Sequence, residues 1–139
     1  MYTSKHYMPI KRLVGTIAVA IASVVVGYLP AAAHHSGAMF DPAVVLTLRG
    51  TVARFDYVNP HSWLYVNVAN DDGTYTEWGF ELDAPPRLRR VGVSPNFWQE
   101  GDPITVKTNP LKDGRPAGHL VGAVTEAGRK FGNTVGIIE

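Results

Sequence analysis

The chain has 139 residues, with 13 Lys and Arg against 12 Asp and Glu and no cysteine. That length fits a single domain, and the lack of cysteine excludes disulfides and thiolate chemistry. A formal net charge of +1 gives no excess of positive field for a nucleic-acid backbone, so none is expected as a partner.

The first segment is a leader by pattern. Lys5, Lys11 and Arg12 stand in a stretch without acids, and residues 13–29 carry no charge at all. Gly27 and Pro30 then interrupt any helix, and Ala31, Ala32 and Ala33 follow. A basic start, an apolar run and a small-residue site make a secretory signal peptide, here a signal helix within residues 1–33. The apolar run also reaches the lower edge of a bilayer span. A retained leader would therefore make the protein membrane-tethered, which is the alternative. Cleavage after Ala33 leaves 139 − 33 = 106 residues and moves the charge to 10 − 12 = −2. The expected destination is the periplasm or the medium.

Residues 34–43 read as an N-terminal arm, and residues 44–139 as one β domain. Residues 44–58 are rich in strand formers, with Gly50 as the expected bend. Asn59-Pro60 signals a turn. Residues 61–69 alternate, with Leu64, Val66 and Val68 inward and Trp63, Tyr65 and Asn67 outward. Residues 70–73, Asn-Asp-Asp-Gly, suit a hairpin loop. Residues 74–82 alternate again, with Trp78, Phe80 and Leu82 inward and Glu77, Gly79 and Glu81 outward. Residues 84–93 open on prolines and stop at Gly92, as a short helix does. Residues 94–102 read as a second helical turn with Ser94 as N-cap and Gly101 as exit. Two further strands are expected over 103–111 and 119–127, and Val106 joins the expected core.

Three strands, a helical insertion and two strands match the order of an OB-like five-stranded Greek-key barrel. The fold class is thus a small all-β barrel.

A set of short motifs runs through the chain in order. His34-His35-Ser36 follows Ala33, and Phe40-Asp41, Gly50-Thr51-Val52 and Asn59-Pro60-His61 come next. Trp78 stands three residues before Glu81, Leu88-Arg89-Arg90 stands before Gly92, and Pro110-Leu111 precedes Asp113-Gly114-Arg115. Together they resemble the exported bacterial protein family catalogued as domain of unknown function 6152. The resemblance covers nearly the whole mature chain and implies no activity. Members often carry a tryptophan before the Asn-Pro, where this chain has Tyr57-Val58.

The chemistry must come from the residues. Cleavage before His34 gives that residue a free amine, with a reference pKa of about 8, beside its imidazole. The two nitrogens can chelate one metal, and His35 or His61 can add another. Cleavage one residue earlier instead makes His35 the third residue, which suits a square-planar site. Both sets are nitrogen-rich and favour Cu(II), so copper is the candidate cofactor and His34, His35 and His61 the candidate ligands. Length opposes a meeting, because a straight strand over 45–57 is roughly 40 Å long at about 3.3 Å per residue. It would carry His61 far from the arm, and the two meet if the ten residues from His35 to Val45, with an extended reach of about 33–36 Å, fold back along the barrel or if Gly50 bends the strand sharply. His119 reads as an ordinary surface histidine.

A second candidate face holds Trp63, Tyr65, Glu77 and Glu81, on the strands where OB domains bind small ligands or partners. Ordinary cross-strand pairing of the glutamates with Arg54 or Arg49 is the simpler reading. No phosphate loop, nucleophile elbow or zinc-protease helix is present in the sequence. Binding is therefore favoured over turnover. The intact mass of the exported protein is expected to match residues 34–139, and a stable full-length species in the membrane fraction would contradict a cleaved leader.

Overall fold

Period-two alternation and a closing pair of parallel strands build the domain. A computed structural model describes residues 36–137. The expected signal segment 1–33, His34 and His35 lie outside the described residues. By its contacts the chain divides into Met1–His34 and His35–Glu139, and the described residues fall in the second unit.

A 3-10 turn at Ser36–Met39 leads to β1 (Leu46–Asp56), β2 (Trp63–Ala69) and β3 (Tyr75–Glu81). Helix α1 (Pro85–Arg90) follows, then β4 (Pro103–Pro110), β5 (Ala117–Thr125) and a short β6 (Lys130–Gly132). The sheet order is β3-β2-β1-β4-β5-β6, and β3 also pairs with β5. That last pairing is parallel and closes β1 to β5 into a barrel. The OB-like expectation is met, with β6 added at the open edge of β5.

Alternation explains the interior. Val52, Leu64, Val66, Phe80, Ile104, Val106, Leu120 and Ala123 are buried and form one cluster. Val68 and Trp78, expected inside, are half-buried and pack at its margin. Leu82, Leu88, Val93 and Trp98 extend the same cluster beyond the strands. The helix starts on Pro85 and Pro86, where the missing N–H groups cost nothing. Its Arg87, Arg89 and Arg90 lie in the last turn, where cations are favoured. Gly92, at φ 84°, ends it.

The structure departs from the sequence reading at three places. Gly50 does not interrupt β1: it pairs with both Val68 on β2 and Ile104 on β4, and the register irregularity falls between Val52 and Arg54. Glycine is needed there because a Cβ would collide with the Asn67 carbonyl and lie 2.7 Å from Val66 Cγ1. Residues 94–102 form tight turns instead of a helical turn, with Phe97 N donating to Ser94 O (3.0 Å) and Asp102 N to Gln99 O (3.1 Å). Their anchor is Trp98, whose ring meets Phe55, Phe97 and Phe131 edge-on at 4.9, 4.8 and 5.7 Å. Such a cluster outweighs a weak local helix preference. The third departure is the arm. Phe40 is buried and bridges Leu111, while Asp41 N donates to Pro110 O (2.9 Å) and Lys112 N to Met39 O (3.0 Å).

Barrel closure decides where the ends of β1 lie. Leu46 pairs with Thr108, and the next residue, Asn109, pairs with His119. His119 pairs with Glu81, Glu81 with Trp63, and Trp63 with Asp56. One circuit of the barrel thus starts at one end of β1 and returns at the other. This stagger is the shear that any closed barrel of tilted strands must have. Closure also sets β5 beside β3, so that Phe40 of the arm, which lies by His119, is one strand away from Glu81.

Phe80 is fully buried in this core. Phe80→Ala is expected to cost about 3–5 kcal/mol in denaturant unfolding. A loss below about 1 kcal/mol would mean the faces of β3 are reversed.

Candidate metal-binding site

The turn that presents His61 is set by its neighbours. Asn59-Pro60 is a cis peptide, and Ser62, fully buried, is tied on both sides. Ser62 N donates to Asp83 O (3.3 Å), and Leu82 N donates to Ser62 O (2.9 Å). Nearby, the Tyr57 hydroxyl reaches two carbonyls, Pro85 O at 2.9 Å and Val93 O at 3.2 Å. This tyrosine joins the end of β1 to the helix. His61 therefore leaves a fixed backbone.

Its imidazole Nδ1 bonds the Glu81 carboxylate Oε1. The Glu81 side chain is 6% exposed and the His61 side chain 39%. Strand alternation correctly sends Glu81 to the outer face with Glu77, yet the two glutamates do not form one cluster. Gly79 lies between them, and the rings of Tyr65 and Trp63 cover it, 3.3 and 3.4 Å from where a Cβ would stand. Glu81 pairs in register with Trp63 on β2 and with His119 on β5.

Glu77 belongs to a different arrangement. Arg54 Nη1 donates to its Oε2 at 2.9 Å, and the guanidinium lies 3.4 Å from the Tyr65 ring centre. Asp56 approaches the same guanidinium at 3.7 Å. Trp63 and Tyr65 stack at 6.2 Å. The outer face of β2 and β3 thus has two halves. In one, Arg54, Tyr65 and Glu77 satisfy each other, and Arg54 covers the ring that a ligand would stack on. In the other, a buried carboxylate holds a half-exposed imidazole.

His119 adds to the second half. Its side chain is exposed, its position pairs with Glu81, and its ring lies 5.9 Å from that of Phe40. Sequence reasoning gave His119 no role, because alternation shows that it faces outward but not which strand lies beside it. Phe40 was missed for the same reason. A lone aromatic in an arm has no period to betray its burial.

Among the described residues no three His, Asp or Glu side chains are grouped to hold a metal ion. Of the candidate residues, the barrel brings together the pair His61 and Glu81. His34 and His35 lie outside the described residues. A cavity of about 370 Å³, lined by residues such as Arg49, Ile104, Thr105, Val124 and Lys130, contains none of the candidate residues.

These features define a small OB-like β-barrel with a histidine–carboxylate pair on its outer face. The chain belongs to the family described as Family of unknown function (DUF6152), which matches residues 20–120. That span takes in His34, His35, His61, Glu81 and His119. No curated protein and no solved structure matches the chain.

Arg54 and Glu77 are nearly half exposed, and such pairs contribute at most about 1 kcal/mol. Arg54→Ala is expected to lower the unfolding free energy by about 1 kcal/mol or less. A loss of several kcal/mol would show that the stack holds the barrel together.

Proposed function

We propose that the mature protein is an exported copper-binding module that takes one Cu(II) on its N-terminal histidines with help from His61. The anchoring of Phe40 carries this reading. Phe40 packs on His119, His119 pairs with Glu81, and Glu81 bonds His61. His35 is five residue steps from Phe40, a reach of about 17 Å when extended. A docked arm also raises the effective concentration of its histidines at the barrel, as any short tether does.

The donor chemistry favours copper over other divalent ions. A terminal amine and imidazoles are nitrogen ligands, and Cu(II) stands highest in the divalent series for them. One residue that offers two tethered nitrogens loses less freedom on binding than two separate ligands. Binding weakens as pH falls, because protons compete for the same amine and imidazole nitrogens.

The test uses the mature chain, residues 34–139, titrated with Cu(II) and followed by electron-spin resonance. One extra residue placed before His34 removes the amine chelate and keeps every side chain. It is expected to lower affinity and change the spectrum. An unchanged affinity and spectrum would refute the N-terminal site. If His61→Ala abolishes binding while the extension does not, the metal belongs to the barrel alone.

A further inference from the structure

We infer that Glu81 is the positioning residue of this site: it fixes His61 as the Nδ1–H tautomer and so presents Nε2 as the nitrogen that ligates the metal. The inference deepens the copper reading and rests on it for the identity of the ligand.

The argument is one of donors and acceptors. An ionised carboxylate can only accept hydrogen bonds. The atom of His61 that meets Glu81 is Nδ1, so Nδ1 carries the proton in that bond. In a neutral imidazole the other nitrogen then keeps its lone pair. Nε2 lies across the ring from Glu81, and the ring is the exposed member of the pair, 39% against 6%. The free lone pair therefore belongs to the accessible part of the pair and the proton to the buried part. A metal-ligating histidine needs this division, with its second N–H held by a carboxylate or carbonyl.

Burial makes Glu81 hard to explain otherwise. A carboxylate withdrawn from water is costly unless it is paired. Its neighbours across the sheet are Trp63 and His119, and among the described residues neither Arg nor Lys pairs with it. A strand needing only solubility or cross-strand pairing has the Arg54–Glu77 solution available, on the same face and exposed. Among the described residues, Glu81 instead bonds an imidazole.

Two measurements on the mature chain test this. The first needs no variant: the side-chain nitrogen resonances of His61 in the metal-free protein report its tautomer. Nδ1–H is expected, although free imidazole side chains favour the other form. A dominant Nε2–H form would overturn the inference. The second compares Cu(II) binding by wild type and Glu81→Gln, which keeps the size and loses the charge. An affinity loss of about 10- to 100-fold with unchanged stoichiometry is expected, together with a mixed His61 tautomer. Wild-type affinity in Glu81→Gln with an unchanged tautomer would overturn the inference while leaving the copper reading intact. No Cu(II) binding by the wild type would overturn the copper reading, and the metal-free tautomer would still decide what Glu81 does to His61.

Discussion

The parallel pairing of β3 with β5 is the constraint on which the rest depends. Only three residue pairs make it: Gly79 with Ala117, Phe80 with Gly118 and Glu81 with His119. Without them the strands would form an open sheet, with the arm at one edge region and His61 at another. With them the sheet closes, and closure of tilted strands forces a stagger. In the closed barrel the ring of Phe40 lies by that of His119, His119 pairs with Glu81, and Glu81 bonds His61.

The same closure supports the packing that makes it possible. Gly118 can stand at this seam because it has no side chain, since a Cβ there would collide with Thr108 Oγ1 and lie 2.6 Å from Asn109 O. Phe80, on the opposite side of the strand from Glu81, fills the interior. The pleat thus puts a core aromatic and a buried carboxylate on consecutive residues, facing opposite sides. The buried polar group costs stability and is compensated by His61. That is a common sign of a residue kept for what it does.

Much of the fold was legible in the sequence because it rests on local physics. Leu64 and Val66, and Phe80 with Leu82, alternate with polar residues at the strand period. Pro85, Pro86 and Gly92 mark both ends of the helix. What was not legible depends on partners far away in the chain. Gly50 looked like a bend, yet its glycine is required by the approach of Asn67. Trp98 looked like part of a helical turn, yet it is the centre of an aromatic cluster drawn from 55, 97 and 131. For the site, His61 and the outward direction of Glu81 could be read directly, but their bond could not. The turn before β2 and the end of β3 meet only through pairing register. His119 and Phe40 had no local mark of any kind.

The central claim is that barrel closure assembles the arm and the His61–Glu81 pair into one metal site. Paramagnetic broadening of backbone amides by one equivalent of Cu(II) measures this directly in the mature chain. The account predicts that amides of Phe40, His61, Trp63, Glu81 and His119 broaden together, while those of Tyr75 and Glu126, at the other ends of β3 and β5, stay sharp. Broadening confined to the residues just before Phe40, with the barrel amides untouched, would contradict it.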